Sequence, residues 1–325
     1  MAYMILKKVL SIIPLLLLVS VILFVLINLL PGDAAMGMVT EGASEDYVNR
    51  VRAEMGLDKP PVTRYFDWLI GIFRGDLGKS LISNQLVSVK IAQRLPVTLE
   101  ITFVAMVISI LIAVPLGILS AVRRGSIFDT IGSFVSMLGI AMPPFWLGML
   151  LVLLFSVTLN ALPASGFVSF AQDPLQNLRC VIMPAASKRT VSGISIGVAF
   201  AATVMRQTRS ALLEVMQQDY VTTAYAKGLK GRVVIWKHAL RNALIPVVTV
   251  ITMQIGRLIG GAVVTETVFA LPGIGREIVD AILSRDYPVV MGMILVVAAL
   301  VVVTNTLVDV LYILIDPRIS TASKS

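Results

Sequence analysis

The chain has 325 residues, of which 57% are hydrophobic and only 14% are charged. Soluble globular proteins carry roughly 25% charged residues, so this composition excludes an ordinary soluble enzyme and indicates a membrane protein. The net charge of +8 comes from 27 basic and 19 acidic residues. The placement of the basic residues beside apolar segments accounts for this excess, and no pattern in the sequence supports nucleic-acid binding.

Three uncharged segments are each long enough to cross a bilayer as a helix. They are residues 9–30, 101–122 and 287–308, each 22 residues long. A transmembrane helix needs roughly 20 predominantly apolar residues. All three segments are therefore predicted to be membrane spans.

Three further spans have less distinct ends. The uncharged stretch 130–172 predicts one helix and then an interfacial loop, because its last third contains a proline and a glycine and is too short to cross. Residues 190–205 fall short of a full crossing, but the arginines that follow can extend the helix by snorkelling. Residues 242–265 are interrupted only by Arg257. The sequence thus predicts an all-α polytopic membrane protein with six transmembrane helices.

Basic residues in the short loops predict that both termini are cytoplasmic. Thirteen lysines and arginines lie on the side of the termini and five lie opposite, and such an excess marks the cytoplasmic side. The long segment 31–96 is left out of the count, because long segments cross largely regardless of charge. The N-terminus resembles a signal peptide, but its apolar run exceeds a typical signal core, so we expect a retained first helix.

The segment 31–96 is expected to be a folded extracytoplasmic insert. Residues 44–57 predict a short helix capped by Ser44, and TRYFDWLIGIF at 63–73 predicts an amphipathic helix whose apolar stripe packs on the membrane domain. The members of this stripe are Tyr65, Phe66, Leu69, Ile70 and Phe73. Another short helix is predicted at 277–283, between the fifth and sixth spans.

We predict neither catalytic nor metal-ligating residues. The string GDLGKS at 75–80 ends like a phosphate-binding loop, but Phe73 occupies the position of the required first glycine, so an ordinary turn is expected. His238 and Cys180 are the only histidine and cysteine, and neither has partners spaced for a metal site or a catalytic triad. An intramembrane enzyme stays open only because a few acidic residues lie near the ends of spans.

Arg257 and Glu266 are candidates for a translocation path. A charge within a span is costly and usually faces a partner or a wet cavity. Glu266 follows Arg257 by two and a half helical turns, on the same general side. Structural pairing with another helix or a partner chain is an equally good interpretation.

The basic segment 219–246 between two spans has the pattern of a short amphipathic helix and a turn. Positions i, i+1, i+4, i+5, i+8 and i+9 form one continuous stripe. The stripe consists of Tyr220, Val221, Ala224, Tyr225, Gly228 and Leu229. Lys227 faces away from it, and Gly228 and Gly231 can end the helix. Such a helix could lie on anionic lipid headgroups or insert into a soluble partner, and the residue pattern favours neither.

This segment resembles the cytoplasmic loop of ABC importer permeases, whose pattern is a glutamate and two alanines with a glycine four residues later. Residues 222–224 and Gly228 occupy these positions, with threonines replacing the glutamate and the first alanine. AKGL at 226–229, His238 and RNALIP at 241–246 resemble the dipeptide, oligopeptide and nickel branch of the family. Further motifs similar to that branch follow in order: LLPGD (29–33), GLDKP (56–60), GDLGKS (75–80), RLPVTLE (94–100), LPASG (162–166), FALPGIG (269–275), RDYP (285–288) and DPR (316–318).

The resemblance implies the type I ABC importer permease fold, with six transmembrane helices and the extracytoplasmic insert between the first two. The implied organisation is a cytoplasmic N-terminus and first helix at 1–30, the insert at 31–96, a core transmembrane domain at 97–317 and a cytoplasmic tail at 318–325. Within the core, residues 206–241 would form the cytoplasmic coupling segment.

The resemblance also implies a division of labour among subunits of a bacterial inner-membrane importer. This chain would form half of the pore beside a second, homologous permease, with two cytoplasmic ATP-binding subunits and an extracytoplasmic substrate-binding protein. It would bind no cofactor itself, and ATP and magnesium would be held by the ATP-binding subunits. The implied ATPase-coupling helix carries Tyr220, Val221, Ala224, Tyr225, Lys227, Gly228 and Leu229.

The expected cargo is a dipeptide, an oligopeptide or a related small solute, selected mainly by the binding protein. The competing function is a self-sufficient channel or an ion-coupled secondary transporter. Co-purification of ATPase subunits would separate the two.

Overall fold

The computed structural model describes residues 10–29, 58–158 and 191–315, together with the isolated residues 8, 46 and 52. Regular structure in this part of the chain is helical, apart from one antiparallel bridge between Lys79 and Leu86. An all-helical fold is therefore confirmed for the described residues. The predicted helix at 44–57 and the predicted interfacial loop after residue 158 lie outside them.

Most connections between the described helices are short, and the one between Phe73 and Val87 is longer. In order they are α1 (Ile12–Leu29), α2 (Pro61–Phe73), α3 (Val87–Val122), α4 (Ile127–Ala141), α5 (Pro144–Val152), α6 (Val191–Met216), α7 (Asp219–Ala226), α8 (Leu240–Val268), α9 (Ile274–Leu283) and α10 (Tyr287–Ile315). A π-helical turn, Leu153–Thr158, follows α5. A helical turn, Gly231–Val233, and a second π-helical turn, Val234–Ala239, precede α8.

Four of the described segments are long and apolar enough to cross a membrane. They are Ile12–Leu29, Val87–Val122, Gly231–Gly256 and Tyr287–Val308. These segments overlap four of the six predicted spans, and the total of six remains a prediction. The helix α6, with 26 residues, and the shorter apolar helix α4, with 15, coincide with the other two.

The uncharged stretch 130–172 was predicted to hold one helix and then an interfacial loop. In its described part, up to residue 158, the single helix is wrong. The structure has two helices there, α4 and α5, separated at Met142 and Pro143. Both of these residues have extended ψ angles, 136° in each case. Proline disfavours the helical conformation in the residue before it and lacks the amide hydrogen that continues a helix, so the Pro143–Pro144 pair ends α4 and starts α5.

The chain divides into two compact units, the first formed by Met1–Thr98 with Pro272–Ser325 and the second by Leu99–Leu271. In the first unit α10 packs against α1 and α9. The first turns of α3 enter the same core through Val87, which is fully buried. The approach is close, because a Cβ atom on Gly292 would lie 2.6 Å from Val87 Cγ1.

The helix α2 is present as predicted, but the predicted stripe is only partly the packing face. Tyr65 contacts α1, where its hydroxyl lies 2.9 Å from Ser20 Oγ and its ring lies 5.4 Å from that of Phe24. Trp68 joins the same cluster. Three members of the predicted stripe are instead exposed: Phe66, Ile70 and Phe73.

Charged and polar groups link α3, α9 and the GDLGKS loop within the first unit. Glu277 accepts hydrogen bonds from Lys90 Nζ at 2.8 Å and from Arg94 Nε at 3.0 Å. Ser80 donates its hydroxyl to Asp286 at 2.5 Å. The predicted helix at 277–283 is confirmed and begins earlier, at Ile274.

The second unit is organised around α6, which packs against α4, α5 and α8. Its contact with α3 depends on Gly117, where a Cβ atom would lie 2.7 Å from Thr208 Cβ and 2.8 Å from the Met205 carbonyl oxygen. The helix α6 continues past the predicted end of its span to Met216. That extension brings the chain to α7.

Candidate functional site: the helix Asp219–Ala226 and its supports

The helix α7 is short and sharply ended on both sides. Asp219 in its first turn places a negative charge at the positive end of the helix dipole. At the other end the Gly228 amide donates to the Tyr225 carbonyl at 2.9 Å. Gly228 has a φ of +75°, a left-handed conformation that glycine adopts without steric cost. The prediction that Gly228 ends this helix is confirmed, whereas Gly231 begins the next helical turn.

The predicted continuous stripe is divided between two faces of α7. Val221 and Ala224 are 1% and 7% exposed, and they pack against Val234 and Val215 of the same chain. The other members of the stripe lie on the exposed surface: Tyr220, Tyr225, Gly228 and Leu229. Lys227 is exposed as well. The buried pair attaches the helix to its own chain, and the exposed residues are available to a partner.

A side-chain hydrogen bond holds α7 at a second point. Asn242 Nδ2, near the start of α8, donates to the Tyr220 hydroxyl at 2.8 Å. Val234 lies at the start of the π-helical turn Val234–Ala239, so the two contacts lie on either side of this turn. His238 also lies in the π-helical turn and is partly buried. Displacement of α7 would therefore pull on both ends of the turn that leads into α8.

A buried ion pair between Asp129 and Arg209 supports the frame behind α7. Arg209 Nε and Nη2 donate to the two oxygens of Asp129 at 2.6 and 3.0 Å. The same carboxylate accepts from Ser120 Oγ at 2.6 Å and from the Gly125 amide at 3.0 Å. Four donors from α3, the following loop and α6 thus converge on the first turn of α4. Sequence reasoning missed this cluster; its only local signal is an acidic residue just before an apolar run.

The two residues suggested for a translocation path lie on one helix, α8. Glu266 is fully buried near its C-terminal end, and its carbonyl accepts from the Leu271 amide at 2.8 Å. Arg257 lies further toward the N-terminal end of α8, and its side chain is outside the described part of the structure. The described part of the structure therefore does not test whether these two side chains meet, and their role in a path remains a prediction.

The string GDLGKS forms a turn. Gly75 and Gly78 have φ angles of +80° and +85°, and the Gly78 amide donates to Asp76 Oδ1 at 2.8 Å. The Ser80 hydroxyl is buried against Asp286. This confirms the predicted turn. Within the described ranges, no group of three histidine, cysteine or acidic residues is arranged to hold a metal ion.

Two family descriptions match nearly the whole chain. Residues 1–102 match the N-terminal component of binding-protein-dependent transport system membrane proteins. Residues 113–321 match the binding-protein-dependent transport system inner membrane component. Together they cover the described helices except for residues 103–112 within α3.

Full-length relatives agree with this match. A peptide transport system permease protein from Brucella abortus is 45% identical over 319 residues, covering 98% of this chain and 99% of the relative. The dipeptide transport system permease protein DppB of Escherichia coli is 40% identical over 335 residues, covering 98% and 99%. DppB of Alkalihalophilus pseudofirmus is 39% identical over 334 residues, covering 96% and 98%. The chain belongs to the family of inner membrane components of binding-protein-dependent transport systems, the permease subunits of ABC importers.

Proposed function

We propose that this permease forms half of the translocation pore and that the exposed face of α7 docks into a cytoplasmic ATP-binding subunit. The observation that carries the proposal is the division of α7 into a buried face and an exposed face. Val221 and Ala224 fasten the helix to Val234, so a force on the exposed face reaches α8 through this packing. The exposed face presents Tyr220, Tyr225 and Leu229, and large side chains of this kind anchor protein interfaces.

The full importer would contain a second, homologous permease, two ATP-binding subunits and an extracytoplasmic substrate-binding protein. ATP and magnesium would be held by the ATP-binding subunits, and this chain would hydrolyse nothing. The family description supports a binding-protein-dependent system. The preceding charge count supports a cytoplasmic position for both termini and for α7, since basic residues concentrate in that segment.

The proposed cargo is a dipeptide or an oligopeptide. This extends to the present chain what the names of its relatives say, peptide transport for one and dipeptide transport for two others. Binding of a panel of dipeptides and longer peptides to the cognate substrate-binding protein would test it. If the substrate-binding protein binds none of these peptides but binds another solute, the peptide assignment is refuted and the permease assignment is unaffected.

Gly228 offers a sharp test of docking. Among the described residues, no atom lies within 4 Å of the position that a Cβ atom on Gly228 would occupy. A Cβ atom added there meets none of the described residues, so we attribute a steric effect of a substitution to a partner. Asparagine tolerates the left-handed conformation, whereas alanine carries a strain of roughly 1 kcal/mol or more.

Gly125 provides the matched control, because it has the same φ of +75° and equally open surroundings within the described residues. The assays are retention of ATPase subunits on the purified complex and ATP hydrolysis stimulated by the loaded binding protein. We expect Gly228→Asn to lower both at least tenfold, Gly228→Ala to have a smaller effect and Gly125→Asn to have little. Full activity of Gly228→Asn, or an equal loss in Gly125→Asn, would contradict docking through α7.

A further inference from the structure

The second unit contains an apolar groove with two arginines at its rim. Its volume is about 540 Å³, and it lies between the C-terminal end of α3 and the chain that leads into α8. Val114 and Ile118 of α3 line it on one side, and Trp236 and Leu244 line it on the other. Arg123 and Arg232 are the only charged residues among the described residues that line it.

The arginines lie at the ends of two candidate membrane spans. Arg123 directly follows the segment Val87–Val122, and Arg232 is the second residue of Gly231–Gly256. If these segments cross the bilayer, both arginines lie at span ends, and we expect their guanidinium groups near the depth of the lipid headgroups. Val114 lies nine residues before Arg123, which corresponds to about 13 Å along the helix at 1.5 Å per residue. The groove thus extends from headgroup depth toward the acyl chains.

Two aromatic residues beside the arginines support a position near the lipid headgroups. Trp236 is 62% exposed, and tryptophan concentrates at the boundary between headgroups and hydrocarbon. The Arg123 guanidinium lies 5.2 Å from the centre of the Phe128 ring. Stacking on that ring restrains the guanidinium without using its N–H groups, which stay available as hydrogen-bond donors.

We propose that this groove binds an anionic phospholipid. The phosphate accepts hydrogen bonds from Arg123 and Arg232, and one acyl chain lies along Val114, Ile118 and Leu244. Guanidinium groups match phosphate oxygens in a bidentate manner, and basic pockets between transmembrane helices recognise anionic headgroups. The two arginines, with no acidic lining residue among those described, favour this occupant over an uncharged one.

The test uses the purified full-length permease in mild detergent and native mass spectrometry. Phosphatidylglycerol and phosphatidylcholine with identical acyl chains are titrated, and the ratio of bound lipids is measured. A contribution of about 1 kcal/mol per arginine predicts that Arg123→Gln and Arg232→Gln each lower the ratio about fivefold, and the double variant about thirtyfold. Arg124→Gln is the matched control, because Arg124 adjoins Arg123 and is not among the described lining residues.

A second variant tests the apolar part of the site. Leu244→Trp fills the groove and should lower retention of both lipids without changing their ratio. Thermal melting of each variant identifies misfolded protein. An arginine-to-glutamine variant that misfolds is replaced by the corresponding lysine variant, Arg123→Lys or Arg232→Lys. Each lysine variant should keep more than half of the preference for phosphatidylglycerol.

Two results would overturn the proposal. One is an unchanged lipid ratio in the double variant, or an equal fall in Arg124→Gln, which would indicate diffuse surface charge. The other is efficient crosslinking of Trp236→Cys, in a Cys180→Ser background, to another importer subunit in native membranes, because a protein partner would then occupy the groove.

Discussion

Removal of the Asp129 charge should strongly destabilise the second unit. In Asp129→Asn the single amide oxygen replaces only one of the two carboxylate oxygens, and the amide NH2 group takes the place of the other. The bidentate ion pair with Arg209, at 2.6 and 3.0 Å, is therefore broken. Breaking one side of a buried ion pair costs about 3–5 kcal/mol. The Asp129 side chain is 8% exposed, while that of Arg209 is 29% exposed and can be partly solvated. We therefore expect a loss near the lower limit, about 3 kcal/mol.

The assay is thermal unfolding of the full-length permease in detergent. At about 2–4 °C per kcal/mol for a sizeable domain, Asp129→Asn should lower the melting temperature by roughly 6–12 °C. Arg209→Gln should have a similar effect, and the double variant should lose little more than either single variant, because the two residues act as one unit. Arg206→Gln, an exposed arginine on the same helix, should change the free energy of unfolding by less than about 0.5 kcal/mol. Additive losses in the double variant would refute the pairing.

Further predictions concern three other contacts. Gly292→Ala should cost about 1–3 kcal/mol through overpacking, since its Cβ would lie 2.6 Å from Val87 Cγ1; Val87→Ala in the same chain should restore part of the melting temperature, and no rescue would contradict the close approach. Glu277→Gln should cost about 2 kcal/mol at neutral pH by leaving Lys90 and Arg94 unpaired. Burial opposes ionisation of Glu277, but Lys90 and Arg94 together hold its pKa below the usual value. The stability that ionised Glu277 contributes is therefore fully present above the ordinary carboxylate pKa, and it is lost as the pH falls through the lowered pKa of the folded protein. If the melting temperature of the wild type is no more sensitive to acid than that of Glu277→Gln, this ion-pair contribution is refuted. Tyr220→Phe removes the acceptor for Asn242 and should cost about 1 kcal/mol, with ATPase subunit retention reduced less than in Gly228→Asn; a larger reduction would indicate that the hydroxyl itself contacts the partner.

The helices themselves were largely predictable from the sequence, but their packing faces were not. The helix α2 carries two overlapping apolar rows, one with Tyr65 and Trp68 and the other with Phe66, Ile70 and Phe73. Helical periodicity identifies both rows and cannot rank them. The choice is made by Ser20 and Phe24 of α1, which offer a hydrogen bond and an edge-on ring contact to Tyr65.

The charged residues near the start of the second span also led to a wrong prediction of where its helix begins. The second span was expected to begin after Glu100, but α3 begins at Val87. Lys90 and Arg94 lie in this extension and are paired with Glu277, almost two hundred residues away in sequence. The pair of Asp129 and Arg209 is likewise eighty residues apart. A single sequence contains no signal that joins such residues.

The candidate site shows the same limit at smaller scale. Helical spacing predicts that Tyr220, Val221, Ala224 and Leu229 form one stripe. This stripe is wide enough for one part to contact the same chain and another part to contact a partner. Only the position of Val234, which reaches α7 after the turn at Gly228, determines that Val221 and Ala224 face the chain itself. The exposed part of the stripe is what remains for a partner.

The π-helical turn before α8 has a consequence for rotational phase. Val234 and Asn242 are eight residues apart, and both contact α7. In an uninterrupted α-helix, eight residues advance about 80° beyond two full turns, so the two side chains would point to different faces. The i to i+5 bonding of the π-helical turn accommodates one additional residue, and the pair then behaves like residues seven apart, within roughly 20° of a common face. Conversion of Val234–Ala239 to α-helical geometry would therefore turn α8 about its own axis beneath α7, so this single turn sets the angular register in which the two helices can remain attached.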